Sequence, residues 1–204
     1  MLLKVRSYDF AKEFAECAAK ILRKTDSYWV RRVHGDDGDW FLVKVTSQML
    51  YSFVQKSLQE QKPLIEVFPE GFLRGFFTAE GNPYVSVENA ARPYLSVGVD
   101  ATNSDPELLK LAIDLLIKLG FKTGKARVTT SKGERTNFGI AKNTVYVFSL
   151  SRREDILRFA KEIGFADSAK NAKLADALSL IRDFGKQAAI EEWKRRYEKG
   201  GGSG

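Results

Sequence analysis

The stretch Phe72-Leu73-Arg74-Gly75-Phe76-Phe77-Thr78-Ala79-Glu80-Gly81 sorts its apolar and its small residues onto different faces of one short helix. Leu73, Phe76 and Phe77 recur at the three- and four-residue spacing of a buried stripe, while Gly75 and Ala79 stand one turn apart. Small residues so placed let a second helix come very close. Pro69 and Glu70 open the helix and complement its dipole, Gly81 ends it, and Pro83 enforces the stop. Glu80 is therefore expected at the helix C-terminus, where the dipole repels an anion and a bound cation would reverse the penalty.

On the N-terminal side, residues 2–7 read as a strand in which Leu3 and Val5 alternate with Lys4 and Arg6. Asp9 is expected to cap a helix running to about Lys24, with Phe10, Phe14, Cys17, Ala18, Ile21 and Leu22 on its apolar face. Residues 28–34 and 39–46 read as a hairpin turning at Gly35-Asp36-Asp37-Gly38, its arms aromatic and β-branched with basic residues interleaved. A helix over 48–61, ended by Pro63, leads back to the opening stretch.

Beyond Gly81 the same order returns. Tyr84 to Glu88 and Tyr94 to Ala101 read as strands, and Pro106 opens an amphipathic helix to Gly120. Lys125 to Thr130 and Thr144 to Ser149 make a second hairpin, and a helix follows over Glu154 to Gly164. One unit is used twice, and its first copy lacks an opening helix and strand.

The stretch Leu73 to Gly81 resembles the motif of the archaeal-type LAGLIDADG homing endonucleases, with departures at Arg74 and Thr78. The resemblance implies an α+β fold of two pseudo-symmetric αββαββα units, the first incomplete here. Their antiparallel, saddle-shaped sheets would be covered by helices on one face and laid along double-stranded DNA on the other. It implies that Glu80 is the catalytic acid and a metal ligand, with Gly81 beside it in the metal site and Asn103 near the active-site water. The implied cofactor is Mg2+ or Mn2+, with Ca2+ a non-catalytic substitute. An all-oxygen site suits magnesium, which asks the protein for few ligands. DNA contacts are expected from the open strand faces: Arg31, Lys44, Tyr84, Ser86, Ser96, Asp100, Lys125, Arg127, Thr129, Asn143 and Val145.

The composition agrees with such a role. The net charge of +7 and a pI near 9.4 favour a polyanionic partner. His34 is the single histidine and Cys17 the single cysteine, which excludes a histidine pair, an internal disulfide and a cysteine-based zinc site. Cys17, set among alanines, is expected to be a small core residue, and His34 a surface residue beside the turn. No stretch approaches the roughly 18 apolar residues of a membrane span. Lys4 and Arg6 follow the first residues at once, so no signal peptide is expected and the expected compartment is cytoplasmic.

Four segments are expected: a first unit over 1–66, a second over 67–165, a helical extension over 166–199, and a glycine-rich linker or tag over 200–204. The extension reads as two helices, 166–181 and 187–199. Only one motif helix is present. Its partner is expected from a second chain, as in a homodimer, or from a missing fragment, as truncation, splitting or circular permutation of an intron-encoded enzyme would leave. Three functions stay open: a metal-dependent endonuclease (a hydrolase), a DNA- or RNA-binding maturase or regulator of the same fold without cleavage, and a structural scaffold.

Overall fold

Among the described residues two larger antiparallel sheets carry the chain beside one short two-stranded ladder, and the alternation of apolar with polar residues along the strands of the larger two decides which side of each the helices cover. The computed structural model describes residues 1–137 and 139–197. Two compact units emerge, Met1–Phe72 with Ala166–Ser168, and Leu73–Phe165 with the chain from Ala169 onward.

The first unit runs β1 (Leu2–Val5), α1 (Tyr8–Ile21), β2 (Val30–Gly35), β3 (Gly38–Lys44), α2 (Gln48–Val54) and α3 (Leu58–Val67). Its sheet has the order β1-β3-β2. Leu3 and Val30 both oppose Val43, and Val5 opposes Phe41, so these five side chains share one face. They pack there with Ala11, Ala15 and Ala18 of α1.

The details differ from expectation in ways that packing explains. Ser7, not Asp9, caps α1: its hydroxyl accepts the N–H of Phe10 at 3.3 Å. Asp9 lies in the first turn, and its carboxylate accepts the N–H of Ser168 at 3.0 Å. The buried stripe of α1 is alanine, at positions 11, 15, 18 and 19, while Cys17 and Ile21 are exposed. A broad apolar face admits neighbouring rotations, and close approach to the sheet selects the one that turns alanine inward. The helix expected over 48–61 is two helices, because Ser57 starts a new one. Ser57 and Glu60 form a capping box, in which the Ser57 N–H donates to the Glu60 carboxylate at 2.9 Å. Pro63 lies inside α3 and ends nothing.

Helix α4 (Pro69–Glu80) leads directly into β4 (Gly81–Glu88). There follow β5 (Tyr94–Asn103), α5 (Pro106–Lys118), β6 (Arg127–Thr130), β7 (Arg135–Thr136), β8 (Gly139–Ile140), β9 (Val145–Leu150), α6 (Arg153–Glu162) and α7 (Ser168–Tyr197). The large sheet has the order β4-β5-β9-β6, so β5-β9-β6 repeats the order of β1-β3-β2 with β4 added at the edge. The fold is thus α+β with antiparallel sheets. The short β7–β8 ladder lies in a connection where no strands were expected.

Leu95, Val97, Val99 and Ala101 of β5 are buried, with Leu150 opposite Val99 and Phe148 opposite Ala101. Leu73, Phe76 and Phe77 of α4 are buried as their spacing predicts. Phe77 meets Phe159 edge-on at 4.8 Å between centroids and Phe148 at 5.9 Å, and Phe159 meets Phe165 at 5.3 Å. This aromatic cluster fixes the motif helix in its unit. Phe159 of α6 is fully buried, and Leu157, expected from its spacing with Ile156, Ala160 and Ile163 to face inward, is exposed.

Helix α7 breaks at Gly185, whose φ of +76° and ψ of 162° are not helical. The two expected helices are therefore arms of one bent element, with residues 198 and 199 outside the described residues. Its arms are tied together where Tyr197 donates to Asp176 at 2.9 Å and Arg196 pairs with the same carboxylate. Among the described residues no helix is long and apolar enough to cross a membrane.

Candidate metal and nucleic-acid site

The two departures of the α4 sequence from its motif both have local causes. The guanidinium of Arg74 donates to the carbonyl of Ile163 at 3.1 Å, at the C-cap of α6. Thr78 is buried, and its hydroxyl donates to the Arg74 carbonyl one turn back at 2.6 Å. Both residues serve the packing of the helix that presents Glu80.

Gly81 is demanded by close approach. A Cβ there would lie 2.6 Å from the Phe77 carbonyl oxygen and 2.7 Å from its ring. Nothing lies within 4 Å of a Cβ built at Gly75, and Ala79 is exposed.

Glu80 is half-buried, and its carboxylate makes no hydrogen bond or ion pair among the described residues. An unpaired carboxylate at a helix C-terminus is unfavourable by itself and suits a cation. Among the described residues no three His, Cys, Asp or Glu side chains converge as a protein cage, so a cation here would have one carboxylate from the described residues. Gly81 fits less well. Its carbonyl accepts the Lys170 ammonium at 2.7 Å, and the same ammonium donates to Thr78 O at 2.8 Å.

Asn103 ends β5 opposite Tyr146, on the face of Ala101 and Phe148 that the helices cover. Its amide oxygen accepts the Asp105 N–H at 2.8 Å, and Asp105 in turn caps α5 through Glu107 and Leu108. The side chain proposed to touch an active-site water thus has a turn-building task.

The other candidates fall on the opposite, open faces or in loops. In the second unit Tyr84 opposes Gly98, Ser86 opposes Ser96, and Asp100 lies between Asn82 and Ser149. The Ser86 hydroxyl donates to Glu88 at 2.6 Å. Burial pushes the Asp100 carboxyl above the usual range. Burial, followed by the charge of Asp100, pushes the Tyr84 phenol up. Arg127 opposes Val147 and shares this face, as does Val145.

A bulge interrupts the register between Val128 and Thr130. Thr130 takes the place opposite Val145, leaving Thr129 as the extra residue. Lys125 and Asn143 lie outside the strands and at opposite ends of the β6–β9 pair. The N–H of Gly124, next to Lys125, donates to Ser149 O, and that of Lys132 donates to Thr144 next to Asn143.

In the first unit Arg31 and Lys44 lie on the face away from the alanine core, in register with Leu42 and Leu2. Lys4 shares their face. So does Trp40, whose ring is covered by Lys4 at 4.6 Å and Arg6 at 3.9 Å. Trp29 is 85% exposed between Tyr28 and Val30, which both join the core. Strand alternation alone would have placed Lys4, Trp29 and Trp40 with the candidates. For Lys170, 89 residues beyond Gly81 in sequence, no such signal exists.

A family model described as a LAGLIDADG-like domain matches residues 68–164. An uncharacterized protein of Methanocaldococcus jannaschii is 30% identical over 184 residues, 88% of this chain and 62% of that protein. The chain thus spans less than two thirds of that relative. Mesophilic variants of the homing endonuclease I-DmoI share the fold with a TM-score of 0.52 at 19% identity, over 85% of this chain and 81% of theirs. The LAGLIDADG homing endonuclease I-LtrWI, bound to target DNA, superposes with a TM-score of 0.56 at 13% identity, over 97% and 85% of the two chains. For the meganuclease I-AabMI, bound to uncleaved DNA, the values are 0.54, 11%, 100% and 90%. At such identities the likeness establishes the fold alone.

Proposed function

We propose, from the match of residues 68–164 to a LAGLIDADG-like domain model, that this chain binds duplex DNA on the open faces of its sheets and that Glu80 is the acid of a metal-dependent phosphodiester hydrolysis. The observation that carries the reading is the carboxylate of Glu80, half-exposed at the end of α4 and without a hydrogen-bond or ion-pair partner among the described residues. I-LtrWI was solved on target DNA, and an I-DmoI variant of TM-score 0.50 was solved with target DNA and manganese, which supports the same partners here.

Phosphate contacts would come from Lys4, Arg31, Lys44 and Arg127, which set affinity without reading sequence. Tyr84, Ser86, Ser96, Asp100 and Val145 would meet base edges from the second sheet. Glu80 would hold Mg2+ or Mn2+, which when bound stabilises charge on the phosphate oxygens and lowers the pKa of water. The chain's own part is to orient that ion with one carboxylate and to hold the backbone of the duplex beside it. A second acid, from another chain or fragment, would complete a paired site.

The test is a randomised duplex library incubated with the chain and magnesium. Cleavage is expected, and Glu80→Gln should abolish it while leaving duplex affinity within about twofold, because a neutral amide keeps the shape but holds a hard cation poorly. Cleavage by Glu80→Gln at the wild-type rate would sink the mechanism. One observation favours a second reading, DNA binding without cleavage: Lys170 already engages the Gly81 carbonyl.

A further inference from the structure

The ammonium of Lys170, in the first turn of α7, brackets Glu80 by donating to Thr78 O at 2.8 Å and to Gly81 O at 2.7 Å. The dipole of α4 concentrates negative charge at this end, so a cation here is stabilised. The need for a cation that the position of Glu80 implies is met by the chain itself. Both contacts are partly buried, which limits screening by salt. Nor can the Gly81 backbone easily swing away, since Phe77 closes the space beside its Cα.

A carbonyl oxygen has two lone pairs and could in principle serve two cations. Magnesium binds oxygen at about 2 Å, so an ion on the Gly81 oxygen would lie at most about 5 Å from Nζ of Lys170. Repulsion between a divalent ion and an ammonium at that separation weakens binding at least about tenfold even at the dielectric constant of water. Each cation therefore disfavours the other on this carbonyl.

We propose that Lys170 is a resident cation of the α4 C-terminus that competes with a divalent ion for the Gly81 carbonyl, so that metal binding at Glu80 is gated by the first turn of α7. The inference rests on Glu80 as the metal-holding acid and adds to it a control element outside the motif. Loading the site then requires Lys170 to leave Gly81.

Mn2+ binding, followed by the electron paramagnetic resonance of the unbound ion, separates the possibilities without any activity assay. Lys170→Met is expected to bind Mn2+ about tenfold or more tightly than wild type, and Lys170→Arg, which keeps the charge, to show no gain. Adding Glu80→Gln to Lys170→Met should remove the gain. Equal affinities of wild type and Lys170→Met overturn the competition, whereas wild-type binding that Glu80→Gln leaves unchanged overturns the reading of Glu80 instead. Thermal unfolding of each variant accompanies the titrations. Where Lys170→Met does not fold, Lys170→Gln takes its place: a gain of about tenfold in Mn2+ affinity supports the competition, and no gain overturns it.

Discussion

Tyr84 occupies the space that a side chain at Gly98 would need. The two residues face one another across β4 and β5, and a Cβ at Gly98 would lie 2.3 Å from the ring's Cζ and hydroxyl oxygen. Gly98 is thus a bed for an aromatic ring on the open face, not a flexible joint. Gly98→Ala should displace the ring and destabilise the protein by about 1–2 kcal/mol. In a Tyr84→Ala background the same change should cost almost nothing, which a double-mutant cycle by denaturant unfolding would measure. Equal losses in both backgrounds would mean that Gly98 serves the backbone.

Asp100 lies close to that pair and is held against its own ionisation, chiefly by burial. A carboxyl whose folded pKa is raised contributes its stability below the unfolded value, and loses it as pH rises through the folded one. At neutral pH its charge is therefore a cost. Asp100→Asn should unfold about 2 °C or more above wild type at pH 7, and the gap should close below about pH 4. A gap that widens in acid would reverse the assignment.

Much of this arrangement is legible in sequence because burial enforces it. A strand with one covered face must alternate, so the open-face positions of β5 and β9 follow from Leu95, Val97, Val99, Phe148 and Leu150. The stripe of α4 is equally constrained, being aromatic on one side only. Three things escape such reasoning. The bulge at Thr129 shifts alternation by one residue with no local signal. Alanine and cysteine are nearly equivalent by hydropathy, so the rotation of α1 depends on its distance from the sheet. Lys170 meets α4 only through the tertiary fold, while Asn103 is claimed by the turn into α5.

Opposite faces of one sheet should behave differently toward DNA. Arg127 lies on the open face, whereas Lys161 lies in the last turn of α6, a helix on the covered side. Arg127→Ala and Arg31→Ala should each weaken duplex binding about three- to tenfold and lower the salt slope by about 0.9. Lys161→Ala should stay within about twofold. Fluorescence anisotropy with a labelled duplex between about 50 and 200 mM salt provides the measurement. Similar losses for Arg127 and Lys161 would show that the wrong face has been assigned to DNA.

The two glycines of the motif should respond in opposite ways to the same substitution. At Gly81 a methyl group would meet the Phe77 carbonyl at 2.6 Å and the Phe77 Cα at 3.0 Å. These are backbone atoms in the last turn of α4 and cannot rotate aside as a side-chain tip can. Gly81→Ala should therefore cost about 3 kcal/mol or more, by forcing apart the helix end and the first residue of β4. At Gly75 a methyl group would meet nothing within 4 Å, while alanine is the better helix former. Gly75→Ala should stabilise the chain by about 0.5–1 kcal/mol. Thermal unfolding of both variants by circular dichroism tests the contrast. A loss at Gly75 comparable to that at Gly81 would mean that another helix approaches the Gly75 face in solution, and sedimentation of the wild-type chain across concentration would then reveal whether a second copy supplies it.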